Sequence, residues 1–383
     1  MAYFQNKSIN LMYLHTALQG IAFHGGETFA FVYLLKAGIS LSGVLLAIGL
    51  MYGARIVMRQ AVVPFVKRAG LRSGLFFGIG LEAVTYLTVS QVTGVGSVLF
   101  IYLALMALSS SFYWTTMHAF VASSGDTEHR GKQVSTVEFI NTLVGIIAPL
   151  MSGLLLSNFH PIVAFSVVAI AMLASGIPFL FTPNTQIAPN AVVPEHARRE
   201  ARTIMFTDGL RAALFHYTFS LVLFKTLGEN FAAMGGAMAL SGLLGGVFGL
   251  FIGRSIDMGH GKRARQVAYS VMGIAALARA IGYPLPWTAI ATNSLATIAW
   301  PMYGTILNGR LYDLAKESPC TLRYHVVAEG GWDMGTAVGC VVAAALFWLG
   351  FSAFWPLMLG VVATMAGYVV MSRSFAEEET TKA

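Results

Sequence analysis

The stretch Gly253 to Arg263, "GRSIDMGHGKR", decides how the rest of the chain is read. It is short, polar and basic, and apolar runs flank it at 231–253 and 267–282. Such runs suit helices that cross a lipid bilayer, and a basic loop between two of them marks the side on which it stays. Composition agrees. Charged residues are 11% of the 383 and hydrophobic ones 56%, against about 25% charged in a soluble globular chain. With a mean hydropathy of +0.69 the chain lacks the polar residues to coat a soluble fold, which points to an integral membrane protein. Two cysteines, Cys320 and Cys340, supply neither a disulfide framework nor a zinc spacing. The first apolar run, 9–35, is far longer than the core of a signal peptide and no clear cleavage site follows it, so it is expected to stay as a membrane helix.

A crossing helix needs roughly 20 mostly apolar residues. By that measure helices fall near 9–36, 41–58, 73–90, 97–122, 134–157 and 161–181, then near 208–228, 231–253, 267–282, 287–308, 326–349 and 353–371. The segment between the two sets holds Pro183, Pro189 and Pro194 and then the basic "HARREAR", read as a short interfacial helix. The expected fold is all-α and membrane-embedded, with twelve transmembrane helices. An N-terminal six-helix bundle (1–182), a linker (183–207), a C-terminal six-helix bundle (208–371) and a tail (372–383) make up the chain. Basic residues gather in alternate loops, around Arg59 to Arg72, Arg130, Arg198 to Arg202, Arg254 to Arg265 and Arg310 to Arg323. The intervening loops are very short, with only Lys36, Lys225 and Arg279 near them. The positive-inside rule then puts both termini in the cytoplasm. It also accounts for the net charge of +7 without a nucleic-acid partner.

The two sets resemble each other. Phe112-Tyr113-Trp114, a basic loop and "QVSTVE" ending at Glu138 match Ala299-Trp300-Pro301, a basic loop and "YHVVAE" ending at Glu329. Matches in the same order on a six-plus-six plan favour duplicated halves, as in many secondary transporters. At this point the chain resembles the major facilitator superfamily. "GRSIDMGHGKR" is similar to that family's G-x-x-x-D…G-[RK]-[RK] loop, with one extra residue before Gly261. Asp257 is its acidic member, and Lys262 and Arg263 its basic ones. The first-half counterpart, "RQAVVPFVKRAGLRSG", keeps Lys67, Arg68, Gly70 and Arg72 but has no Asp. "GIIAPLMSG", Gly145 to Gly153, is a partial version of a motif linked to antiporters, with Ala148 and Ser152 where Gly is usual. The fourth span lacks the Arg that the family uses for proton coupling. The resemblance implies alternating access, with spans one, four, seven and ten around a central cavity. It also implies that spans two and eleven, and five and eight, pack across the halves. A Walker A pattern is missing, since Lys262 is followed by Arg263 and not by Ser or Thr.

Within "YHVVAEGGWDMG", Glu329 and Asp333 lie four residues apart, on one helix face inside an apolar run. A charge at that depth is costly unless paired or wet. The resemblance implies Glu138 near Arg254, and Glu329 near Arg55 or Arg59, as pairs that gate the cytoplasmic side beside Asp257. Two other readings stay open: acids held statically by the helix dipole, and proton coupling. Asp333 is deeper and has no obvious partner, so it is the better coupling candidate. Gly330, Gly331 and Gly335 beside it permit close helix approach. In the first span His24 and Glu27 stand three apart, around Gly25 and Gly26. Such a pair takes up a proton, ligates a cation, hydrogen-bonds a solute, or is satisfied by neighbouring helices. Glu82 reads as structural. Trp114 and His118 in the fourth span, His216 with Phe215 and Tyr217 in the seventh, and Trp300 and Tyr303 in the tenth suit an aromatic or amphipathic solute, or packing. Met234 and Met238 form M-x-x-x-M, which suits Cu(I) or apolar filling.

The expectation is a monomeric carrier of the bacterial inner membrane that moves a small organic solute. Protons are the coupling ion, no cofactor is needed, and no nucleophile–base set marks an enzyme. A copper importer of the same superfamily is the alternative. A membrane receptor or enzyme without transport is the third reading.

Overall fold

The computed structural model describes residues 6–124, 130–185, 192–255 and 262–382, and excludes the side chains of 130–132, 134, 135, 138, 249–255 and 377–382. Among the described residues there is no strand. Counting a helix as continuous through its π and 3-10 turns, twelve rods follow one another among the described residues. They are α1 (7–36), α2 (Leu41–Ala69), α3 (Leu71–Val89), α4 (Ser97–Ser124), α5 (Arg130–Asn158), α6 (Pro161–Phe181), α7 (195–226), α8 (Phe231–Ser255), α9 (Lys262–Gly282), α10 (Pro286–Glu317), α11 (Thr321–Trp348) and α12 (Phe354–Lys382). Seven of these, α2, α4, α5, α6, α8, α11 and α12, contain segments long and apolar enough to cross a membrane.

Local chemistry sets the ends. The Ser40 hydroxyl accepts from Gly43 N at 3.1 Å to start α2, and Asn230 Oδ1 accepts from Ala233 N at 2.9 Å to start α8. Gly38 (φ +88°) ends α1 and Gly228 (φ +69°) ends α7, each in a left-handed conformation that glycine adopts without strain. Three rods differ from the sequence expectation. The interfacial helix and the seventh span are one rod, because "EHARREARTIMF" is rich in strong helix formers and contains no breaker. Pro301 sits inside α10 without ending it. That rod runs on to Glu317, where Ser318-Pro319 stops it. α12 continues through most of the expected tail. A membrane boundary does not end a helix; only breakers do.

The packing is periodic in the chain. α1 lies on α5 and α6, and α7 on α11 and α12. α3 packs on α4 and α6, as α9 does on α10 and α12, and α2 on α4, as α8 does on α10. Each of these pairings among the first six helices thus recurs six helices on. Between the two sets, α2 meets α11 and α5 meets α8, the pairs the resemblance implied.

Small residues permit the closest approaches. Gly331, Gly335 and Gly339 form a row at helical spacing on the face of α11 that meets α7. A Cβ on Gly331 would come within 2.5 Å of the Arg202 carbonyl oxygen, and one on Gly339 within 2.5 Å of Ala213 Cβ. One on Gly335 would run into the Phe206 carbonyl, and one on Gly209 of α7 into that of Trp332. This is backbone-on-backbone packing of the small-xxx-small kind. Gly330 was expected to share in it, but a Cβ there would meet nothing within 4 Å. Gly153 of α5 and Gly235 of α8 do the same between the sets, where an added Cβ would come within 2.5 Å of a facing carbonyl.

Candidate functional site

α2 carries Arg55 and Arg59, and α11 carries Glu329 and Asp333. Both pairs are four residues apart, so each stacks along one face and spans about 6 Å of helix. The two faces meet where α2 crosses α11. Arg59 Nη2 lies 2.6 Å from Asp333 Oδ2 and Arg55 Nε 3.0 Å from Asp333 Oδ1. Arg59 Nε donates to Asp333 Oδ2 at 2.9 Å. Glu329 Oε2 is farther, 3.4 Å from Arg55 and 3.6 Å from Arg59. All four are buried, none more than 4% exposed. The expectation that Asp333 has no partner is therefore corrected: it holds the shortest contacts in the ladder, because matching i, i+4 spacings let both acids face both bases. Arg59 Nη1 also donates to the Thr115 hydroxyl of α4. His118, on α4, places Nε2 3.6 Å from Glu329 Oε1 and Nδ1 2.8 Å from the Tyr312 hydroxyl, and its ring stacks on His325 at 5.4 Å.

The polar chain continues toward α1 and α7. Tyr52, which lies 4.8 Å from the Arg55 guanidinium, has its hydroxyl 2.5 Å from that of Tyr217. Tyr217 in turn donates to Glu27 Oε1 at 3.0 Å. Glu27 and Tyr217 close two π turns at matching places in the repeat, Phe23–Glu27 in α1 and Ala212–Tyr217 in α7. Such single π turns occur often at functional sites. Here they present one side chain from each set to the other. Among the described residues His24 and Glu27 make no hydrogen bond or ion pair with each other. His24 is half-buried, its Nε2 has no hydrogen-bond partner, and its ring meets Phe23 edge-on at 5.3 Å.

A second cluster joins α7, α10 and α11. Asp208 Oδ1 lies 2.7 Å from Arg211 Nη2 and accepts from the Tyr303 hydroxyl at 2.7 Å, while Oδ2 accepts from Trp332 Nε1 at 3.0 Å. Arg211 lies over the rings of Tyr303 (4.6 Å) and Trp300 (5.3 Å). Tyr303 is thus buried, whereas Trp300 stays 39% exposed. Arg279 of α9, read in the sequence as a topology charge, is buried between Phe215 (4.1 Å) and Phe219 (4.2 Å). It donates to the Phe215 carbonyl at 3.0 Å and to Asn293 Oδ1 at 2.5 Å. Among the described residues no carboxylate pairs with it. Sequence reasoning missed Asp208 and Arg211, which stand at the edge of the seventh apolar run.

The remaining candidates scatter. Trp114 is half-buried, with Phe23 edge-on at 5.5 Å; Phe112 turns away to Phe65 and Phe77. His216 is exposed. Met234 is buried and Met238 half-buried, both in the apolar core. Among the described residues no three His, Cys, Asp or Glu side chains gather as a metal site. The side chains of Glu138 and Arg254, and all of Asp257, lie outside the described residues.

The family model described as Major Facilitator Superfamily matches residues 10–319. No curated protein matches the chain. Among solved structures, the crystal structure of the human organic anion transporter MFSD10 (TETRAN) is similar, with a TM-score of 0.71 and 15% identity over 95% of this chain and 99% of that one. At that identity the likeness is one of fold.

Proposed function

Because the chain belongs to the major facilitator superfamily, and so to transporters and not enzymes, we propose that it moves a small organic solute by alternating access between two rocking halves. The halves are 1–182 and 208–371, joined by 183–207 and followed by a tail from 372, with both termini cytoplasmic in a bacterial inner membrane and one chain as the working unit. The observation that carries the reading is the buried ladder of Arg55 and Arg59 with Glu329 and Asp333 between α2 and α11. A buried ion pair stabilises a fold no better than well-packed apolar side chains of similar volume. What charges offer that apolar packing does not is ready hydration when the contact opens. Such a contact suits a machine with two states. In this reading the ladder shuts the cytoplasmic side, and Asp333 belongs to the gate. His24 and Glu27 are left to take up the coupling ion, a proton or another small cation.

The solute is a small aromatic or amphipathic molecule, for which Trp114, Trp300 and His216 supply flat faces. Arg279, a buried guanidinium with neutral partners, favours an anionic one. The structural neighbour, an organic anion transporter, agrees in class. The test is thermal stabilisation of the detergent-purified protein by aromatic carboxylates, neutral aromatics, amines and Cu(I). An aromatic carboxylate is expected to raise the melting temperature, with the effect lost in Trp300→Ala and in Arg279→Gln. Stabilisation by Cu(I) alone, lost in Met234→Ala, would sink the reading. Uptake of the active compound into proteoliposomes follows.

A further inference from the structure

Between α1, α2, α3 and α4 lies a cavity of about 10 Å³, where Glu27, Arg55, Glu82, Thr85, Ser109 and Ser110 meet the apolar surfaces of Met51, Met106 and Trp114. That is room for one water-sized particle. The hydroxyls around it have already given away their hydrogens. Thr85 donates to the Leu81 carbonyl at 2.9 Å, and Ser109 and Ser110 donate to that of Met106 at 3.2 and 2.5 Å. Lone pairs are what these oxygens have left to offer. Glu82 is 8% exposed. Its Oε1 accepts from the Tyr86 hydroxyl at 3.4 Å, and its Oε2 has no partner. On the other side, Arg55 Nη2 donates to Glu329 Oε2 at 3.4 Å and Nε lies 3.0 Å from Asp333 Oδ1.

Charge points the same way. Along the ladder and the cavity stand four carboxylates, Glu27, Glu82, Glu329 and Asp333, against the two guanidiniums of Arg55 and Arg59. Carboxylates outnumber guanidiniums here, with the His118 ring 3.6 Å from Glu329 as a further partner, at bilayer depth, where an unpaired charge is costly. The oxygens in the lining, those of Glu27, Glu82, Thr85, Ser109 and Ser110, suit a hard cation. The Met106 sulfur is occupied by the Tyr102 hydroxyl at 3.1 Å. The space excludes Mg²⁺, which dehydrates reluctantly and keeps several waters.

We propose that this cavity binds one sodium ion, held by the carboxylates of Glu82 and Glu27 and by the oxygens of Thr85, Ser109 and Ser110. Glu27 also accepts from Tyr217 of α7, so occupancy of the site is felt at a contact between the two sets of helices. The inference deepens the transport reading by naming the coupling ion, and its test reads binding alone.

The full chain in detergent is titrated with NaCl, with choline chloride holding ionic strength constant, and binding of radioactive Na⁺ is measured in parallel. A saturable rise in melting temperature and one Na⁺ per chain are expected. Glu82→Gln should weaken Na⁺ at least about tenfold, the scale of one charged ligand, and Ser110→Ala should weaken it less. Absence of saturable Na⁺ binding to the unaltered chain overturns the proposal, and that result does not depend on whether Glu82→Gln folds. Equal shifts from K⁺ or Ca²⁺, or a shift that follows pH and ignores Na⁺, overturn it as well. A chain that is stabilised by an organic solute but binds no Na⁺ loses this inference and keeps the transport reading.

Discussion

Replacing Asp333 by Asn removes the negative charge shared by both ladder arginines. Two short charge-assisted bonds to Arg59, at 2.6 and 2.9 Å, and the 3.0 Å contact to Arg55 lose their charge. Each such bond is worth about 1.5–3 kcal/mol, and breaking a buried pair by removing one partner costs about 3–5 kcal/mol. Glu329 already stands 3.4 and 3.6 Å from the two guanidiniums and recovers part of this, so the lower end, about 3 kcal/mol, applies. In the opened state water solvates the arginines and the loss is small. The closed-to-open ratio therefore falls roughly a hundredfold. Spin labels at the exposed positions Lys67 and Lys316, with Cys320 and Cys340 replaced, read this as a longer-distance population in pulsed electron spin resonance. The converse variant replaces Arg55 and Arg59 by Met and Glu329 and Asp333 by Leu. It is expected to melt at or above the parent temperature and to transport nothing, since apolar surfaces of that kind do not part in water. An unchanged distance distribution in Asp333→Asn, or transport by the fourfold variant, would refute the reasoning.

Other outcomes follow from the same contacts. Tyr217→Phe deletes the hydroxyl shared with Tyr52 and Glu27 and should cost about 1–2 kcal/mol, seen as a lower melting temperature. Gly335→Leu should separate α11 from α7 and cost about 1–3 kcal/mol or abolish folding. Gly330→Ala, which meets nothing, should melt like the parent. Arg279→Met keeps the apolar stem between Phe215 and Phe219, so a folded protein that no longer responds to aromatic carboxylates is expected in the stabilisation assay.

Apolar runs made the rods legible, because a bilayer leaves helices few alternatives. Their lengths were less so: α7, α10 and α12 run past the apolar segment into sequence that still favours a helix. Glu329 was readable as a partner for α2 because the family resemblance pairs those helices. Asp333 was missed because partners were sought one pair at a time, although Arg55 and Arg59 share its four-residue spacing. The π turns left almost no trace, since one extra residue in a turn vanishes in any hydropathy average; Gly25 and Gly26 were the only hint. Glu82 read as peripheral because α3 faces away from the expected central cavity, while its own cavity lies inside the first six helices.

The paired π turns have a mechanical consequence. Each stores one residue more than the α-helix around it, and that surplus can be handed to the next turn without breaking the rod. Passing it along swivels the part of α1 beyond Glu27, or of α7 beyond Tyr217, about its own axis while the lower part stays docked. Rods that must stay clamped at one end and reorient at the other thus carry their own swivel, placed at the depth where the two sets touch through a carboxylate and a phenol.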